Sequence, residues 1–385
     1  MVLVIPRPSV IAQITRTFDI HPVVALLGPR QCGKTTLANM IAEREPATYF
    51  DLENPVDLRR LSAPMIILEQ LGGLVIIDEI QHRPDLFELL RVLVDRLQNP
   101  ARFLLLGSAS PQLVKGASES LAGRIGFVDL SGFDLDEVGV QQRDRLWLRG
   151  GFPRSFLASD DPLSLAWREA FIRTFLERDI PQLGITIPAE TLRRFWTMIA
   201  HYHGQVWNAA QFARSLGTSE VTARRYLDIL SGAYMVRVLP PWFENIAKRQ
   251  VKAPKIYIRD SGVLHALLQL RTLADLQSHP KLGAAWEGFA LEQVIGFLKT
   301  RDAYFWATHA GAELDLLVRA VGRHYGFEFK YADAPGVSRS MHIAMHDLSL
   351  DHLWVVYPGH QAYALDEKIS VIPIDAIPQL ASDLR

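Results

Sequence analysis

Cysteine is nearly absent from the 385 residues: Cys32 stands alone, which excludes an internal disulfide framework and any cysteine-rich zinc site. Long apolar runs are missing as well. No stretch approaches the roughly 18 residues a membrane span needs, and Met1–Ile5 is too short before Pro6 for a signal-peptide core, so we expect a soluble, cytoplasmic protein without membrane contact. Excess charge of either sign is lacking, with 41 Lys and Arg against 42 Asp and Glu. That balance excludes a uniformly basic nucleic-acid coat and an acidic solvating tail, so any nucleic-acid surface must be local. Internal repeats and low-complexity segments are also wanting, which sets aside solenoids and disordered tails. His342 and His346 lie four apart, but Ile343-Ala344-Met345 between them lacks the glutamate of HExxH, and no zinc site is expected there.

What is present is 49% apolar residues on a chain long enough for more than one core. From Pro22 to about Leu130, apolar runs (PVVALL, ATYFDL, LGGLVIID, RFLLLGS) alternate with helical patterns. Such alternation predicts an α/β parallel sheet, and strands apolar throughout predict helices on both faces. After Ser131 helices dominate, with Trp167, Ala170, Phe171, Thr174, Phe175 and Arg178 in a 3.6-residue rhythm. Between about Thr191 and Arg259 the order is three helices and then two strands, MVRVL and KIYI, with Asn208 and Ser219 as helix caps and Gly217 as a turn; this order suggests a winged helix. The last third reads as a mixed α/β domain. The expected division is therefore 1–130, 131–190, 191–270 and 271–385.

Gly28-Pro29-Arg30-Gln31-Cys32-Gly33-Lys34-Thr35 satisfies GxxxxGK[ST] between an apolar strand and a helix, the context a phosphate loop requires. Glycines let backbone N–H groups converge on phosphate oxygens, and the helix presents its positive end to the same anion. With Thr36, these residues are the candidate ATP contacts: Lys34 bridges the β- and γ-phosphates, Thr35 ligates Mg²⁺, and Cys32 fills the loop. The run Leu74–Ile77 ends in Asp78-Glu79, so that Asp78 is the second metal-side group and Glu79 the residue orienting an attacking water. Ser108, at the end of the next strand, either senses the γ-phosphate or simply begins a turn.

The motifs LLGPRQCGKTT, LVIIDEIQHRP, LLLGSAS, ESLAGR and FLERDI resemble those of AAA-type ATPases of the additional-strand P-loop class. Nearly the whole chain resembles bacterial and archaeal ATPases that join such a domain to a C-terminal domain of unknown function. The resemblance implies self-association into a ring or another homo-oligomer, with an arginine of one subunit completing a neighbour's site. Arg124 is the candidate finger, with Arg178 and Arg30 as alternatives, because charge spreads over the γ-phosphoryl oxygens in the transition state.

Two further patterns stand outside that domain. Arg214, Arg224, Arg225, Arg237, Lys248, Arg249, Lys252, Lys255 and Arg259 face only Glu220, Asp228 and Glu244 in the same window. On the helix after Ser219, Val221, Leu227 and Leu230 are expected to face inward, leaving Arg224 and Arg225 outward; with Lys248, Arg249 and Lys252 they are the candidate DNA contacts. In the last third, Glu328 and Lys330 share a strand face, an antiparallel neighbour would bring Asp315 beside them, and Glu287 lies upstream on a helix. The pattern is similar to the restriction-endonuclease-like fold, in which two carboxylates hold Mg²⁺ and a lysine positions water. The proline usual before the first acid is replaced by Leu314. The expected function is ATP hydrolysis coupled to DNA binding and remodelling in an oligomer. The alternatives are a nucleotide switch that docks a protein partner and an ATP-gated DNA nuclease.

Overall fold

The computed structural model describes residues 4–96, 101–108, 111–182, 185–244 and 249–384, without the side chains of 111–115. The chain forms two compact units, one of Met1–Gly132 with Gly232–Tyr234 and one of Phe133–Ser231 with Met235–Arg385.

The first unit is built on a five-stranded parallel sheet: β1 (Val23–Gly28), β2 (Ala47–Asp51), β3 (Leu74–Asp78), β4 (Arg102–Ser108) and β5 (Ile125–Asp129), in the order β2-β3-β4-β1-β5. Every residue of β1 and β3 is buried, because helices on both faces cover a sheet whose strands carry no polar alternation. One face packs Val23, Ala25, Leu27, Val75, Ile77, Phe103 and Leu105 against Phe87 and Leu90 of the helix Leu86–Val94. The order matters for chemistry: β4 is inserted between β1 and β3, so Ser108 lies in register with Gly28.

In the second unit, residues 133–201 are largely helical, and an aromatic column, Phe152, Trp167, Phe171, Phe175 and Trp196, packs ring against ring through them. Three helices follow, Ala189–His201, Ala209–Leu216 and Glu220–Gly232, together with a small sheet of β6 (Gln205–Val206), β7 (Val236–Leu239) and β8 (Lys255–Ile258) in the order β6-β8-β7. Asn208 accepts the Gln211 N–H at 3.1 Å and Ser219 the Thr222 N–H at 3.1 Å, the two caps, while Gly217 turns the chain at φ 66°. The inward face of the helix Glu220–Gly232 is Ala223, Leu227 and Leu230. The expectation that Val221 faces inward is corrected: it lies in the first turn, ahead of the packed stripe, and is 80% exposed.

The C-terminal part begins with the helix Leu282–Leu298, apolar on nearly every side and accordingly buried. It leads into β9 (Ala303–Ala307), β10 (Glu313–Ala320), β11 (Arg323–Phe329), β12 (His352–Tyr357), β13 (Tyr363–Asp366) and β14 (Ile369–Pro373), ordered β13-β14-β12-β11-β10-β9. The first three are an antiparallel meander, whereas β11, β12 and β14 run parallel; the helix Arg339–Asp347 makes the crossover that a parallel pair needs. Met341, Ala344 and Leu348 seal this helix on the sheet, and His342 and His346 remain exposed on its outer face. Among the described residues no helix is long and apolar enough to cross a membrane.

Candidate functional site

At the end of β1 the chain turns at Gly28, where an added Cβ would stand 2.1 Å from the Leu130 carbonyl oxygen; only glycine allows that approach. Gln31 (φ 64°) and Gly33 (φ 100°) then take left-handed conformations, and the helix Lys34–Ala42 starts directly behind them. Lys34 is 6% exposed, and its Nζ donates to the carbonyls of Gly28 at 3.0 Å and Pro29 at 2.9 Å, closing the loop on itself. Gln31, Thr35 and Thr36 are exposed at the rim, and Cys32 is fully buried beneath it. Arg30 pairs with Glu53 at 3.3 Å.

Thr35 Oγ1 donates to Asp78 Oδ2 at 2.7 Å, and the other oxygen, Oδ1, accepts the Glu79 N–H at 2.9 Å. Asp78 is 5% exposed. Glu79 has φ 55° and ψ 45°, a left-handed conformation uncommon for a non-glycine residue, and its carboxylate accepts from Gln81 Nε2. Ser108 is partly exposed at the end of the intervening strand. The structure thus gathers Lys34, Thr35, Asp78, Glu79 and Ser108 at the C-terminal edge of the sheet.

Arg124 lies elsewhere. Its carbonyl accepts the Val23 N–H, which puts it at the opposite edge from the loop, roughly 17 Å away for a strand of this length. Its guanidinium forks onto Asp95, with Nε to Oδ1 at 2.6 Å and Nη2 to Oδ2 at 2.8 Å.

Two residues of this site escaped sequence reasoning. Tyr49 on β2 donates its hydroxyl to Asp78 Oδ2 at 2.5 Å, and burial, then Asp78 beside it, push its phenol above the usual range. Arg7 is buried and donates to the carbonyls of Ser131 and Gly132 at 3.1 Å, bracing the segment under Gly28. β2 carries no local sign that Tyr49 reaches Asp78, and Arg7 leaves none either.

In the basic segment, Arg224, Arg225, Arg249 and Lys252 are exposed, and Lys248 lies outside the described residues. The local charge excess is smaller in space than in sequence. Arg237 and Arg259 both pair with Glu292 from the helix Leu282–Leu298, and although burial opposes its ionisation, the two arginines hold that carboxyl down at about 2. Lys255 is corrected outright as a surface cation, since it points inward from β8 and is 4% exposed.

Lys255 enters the third cluster. Glu287 comes from the helix Leu282–Leu298, Glu313 and Asp315 from β10, Glu328 from β11 and Lys330 from just after it. Asp315 stands one step beyond the Leu316–Phe327 pair, which sets it beside Glu328 as strand pairing requires. Lys255 Nζ lies 3.1 Å from Glu287 Oε1 and 3.5 Å from Asp315 Oδ1, and it is also ion-paired with Glu313. Tyr257, two residues on and therefore on the same face of β8, donates its hydroxyl to Glu287 Oε1 at 2.6 Å. Asp315 Oδ2 accepts the Phe329 N–H at 3.1 Å, and Lys330 Nζ lies 2.7 Å from Glu328 Oε2 and 3.9 Å from Asp315 Oδ2. Burial first, and Asp315 second, push Glu287 up to about 7 and Glu328 up to about 8. Against the effect of burial, Tyr257, Glu287, Asp315 and Glu313 hold the Lys255 ammonium well above its usual range. Among the described residues, no group of three or more His, Cys, Asp or Glu side chains is placed to hold a metal ion. The signal missed in the sequence was a lysine and a tyrosine two apart within an apolar strand, the mark of one polar face turned inward.

Comparison with known proteins matches residues 20–139 to the AAA domain family. Residues 140–274 and 282–377 match two domains of unknown function, DUF8612 and DUF4143. The chain is 54% identical over 375 residues to the uncharacterized protein Rv2008c of Mycobacterium tuberculosis, covering 97% of this chain and 85% of the relative. The same values hold for the uncharacterized protein Mb2031c of Mycobacterium bovis. Among solved structures, the Walker-type ATPase PABY2304 of Pyrococcus abyssi is similar at a TM-score of 0.51 and 17% identity, covering 69% of this chain and 96% of that one. This likeness is one of fold: a P-loop ATPase-like α/β unit followed by a helical region and a mixed-sheet domain.

Proposed function

We propose, from the premise that the chain belongs to the same family as the two mycobacterial proteins, with an AAA domain ahead of two further domains, that it binds and hydrolyses ATP and uses the cycle to act on DNA. The observation that carries this reading is the 2.7 Å hydrogen bond from Thr35, the first-turn hydroxyl of the loop helix, to the buried Asp78 of β3. A hydroxyl and a carboxylate so placed are an oxygen donor set that suits Mg²⁺, which when bound neutralises charge on the β- and γ-phosphates. Thr35 and Asp78 would hold that ion. Lys34 supplies a fixed positive charge under the loop, and the backbone N–H groups of the turn from Arg30 to Gly33 receive the phosphates. Glu79 orients the water that attacks the γ-phosphorus, and Ser108 senses the γ-phosphate, a role that its register with Gly28 supports. Gln81 donates to the Glu79 carboxylate and must release it for this role.

Arg124 serves a neighbouring subunit rather than its own, because it stands at the far edge of its own sheet; homo-oligomerisation is therefore part of the proposal. The helix order and the β6-β8-β7 sheet support a winged-helix reading of the middle segment, with the helix Glu220–Gly232 presenting Arg224 and Arg225 to DNA. The succession of helix, β9-β10-β11 meander, crossover helix and parallel β12 supports a restriction-endonuclease-like reading of the C-terminal part. A second reading, a nucleotide switch that docks a protein, is favoured by the capture of Arg237, Arg259 and Lys255 in internal pairs, which shrinks the cationic surface. Turnover measured with and without duplex, single-stranded or branched DNA at several salt concentrations tests the proposal. A DNA-coupled ATPase is stimulated in a salt-sensitive way, whereas turnover indifferent to every DNA form favours the switch.

A further inference from the structure

The carboxylate cluster of the C-terminal part already contains a cation. The Nζ of Lys255 lies 3.1 Å from Glu287 Oε1 and 3.5 Å from Asp315 Oδ1 and is ion-paired with Glu313, so one ammonium stands against all three carboxylates. A metal ion cannot take up the same oxygens while that ammonium is there, since like charges a few ångströms apart in a buried setting repel strongly. Other oxygens of the cluster are engaged as well. Tyr257 donates to Glu287 Oε1, the Phe329 N–H to Asp315 Oδ2, and Lys330 stands on Glu328. Lys255 is held in place from behind as well, with its ammonium 5.8 Å from the centre of the Phe305 ring.

We propose that Glu287, Glu313 and Asp315 form a cation site whose resident cation is the side chain of Lys255, so that the chain's own β8 strand keeps divalent metal out of the nuclease-like centre. The proposal does not depend on ATP binding. It assigns to Lys255 and Tyr257 a single job, which is to neutralise and occupy the carboxylate cluster. It also makes metal entry conditional on withdrawal of β8, the strand that follows the exposed Arg249 and Lys252.

The test is Mn²⁺ binding to the full chain without nucleotide, read from the loss of the free-ion electron paramagnetic resonance signal. Wild type, Asp315→Asn, Lys255→Met and the Lys255→Met/Asp315→Asn pair are compared; all four keep Thr35 and Asp78, so binding there cancels. Wild type and Asp315→Asn are expected to bind alike. Lys255→Met is expected to gain one site that wild type lacks, because a carboxylate set freed of its internal charge attracts a metal. The paired variant is expected to lose it. Wild-type binding that falls in Asp315→Asn would overturn the proposal, and so would a folded Lys255→Met that gains no site. Should Lys255→Met not fold, wild type against Asp315→Asn decides alone: Asp315-dependent binding overturns the proposal, and its absence upholds it.

Discussion

Two buried lysines divide the molecule's chemistry between them. Lys34 rests on two backbone carbonyls at the foot of its loop, and among the described residues no carboxylate is bonded to it. Lys255 sits among Glu287, Glu313 and Asp315 and is saturated by them. The first is a charge awaiting an anion; the second already has its counter-charges. A binding site is recognised less by burial of a charge than by whether the fold itself completes the charge's partners. The same contrast runs through the acids, since Asp78 is organised by neutral donors, Thr35 and Tyr49, whereas Asp315 and Glu328 are organised by cations.

The largest expected effect follows from removing each lysine. Lys255→Met leaves buried carboxylates uncompensated and is expected to lower unfolding stability by about 3–5 kcal/mol, whereas Lys34→Ala is expected to stay folded. Denaturant melts of the two variants check this, and equal losses would erase the comparison. Lys34→Ala should instead lower ATP turnover by about 10²–10³-fold, measured as phosphate release, since one charge on the γ-phosphoryl transition state is lost.

The internal pairing of the second unit has a signature in pH. Glu292 is held at about 2 against an ordinary 4.5, so its contribution is fully present above pH 4.5 and is lost as pH falls towards 2. Glu292→Gln is expected to cost on the order of 3 kcal/mol at neutral pH and to flatten the stability profile between pH 5 and 2. Thermal melts across that range check it; a parallel profile in wild type and variant would count against the pairing. On the surface, replacing Arg224 and Arg225 with alanine is expected to reduce the slope of log affinity for DNA against log salt by about 1–2, read by fluorescence anisotropy. Smallest is Tyr49→Phe, which frees one lone pair of Asp78 and is expected to change the Mg²⁺ requirement of turnover by about 3-fold, the scale of one hydrogen bond.

Much of the first unit was legible in the sequence because its signals are local. GPRQCGKT must turn where glycine alone fits, as Gly28 under Leu130 does, and a strand ending in Asp78-Glu79 places both acids at one sheet edge. Asp315, Glu328 and Lys330 come together because strand alternation and an antiparallel neighbour suffice to gather them, whereas Glu287, on a helix, came only from the resemblance. What was missed came from elements distant in sequence. Lys255 was counted as a surface charge because the inward polar face it shares with Tyr257 carries no sign of its partner, Glu287, on a distant helix. The same holds for Arg237 and Arg259, whose partner Glu292 lies on a helix with an almost wholly apolar pattern.

The central claim is that the Gly28–Thr35 loop holds a nucleotide triphosphate. Calorimetric titration of Mg-ATP into the full chain, wild type beside Lys34→Ala, tests it most directly. The account expects a saturable heat in wild type that is lost or sharply reduced in the variant. No heat in wild type, or the same isotherm in both, would contradict it.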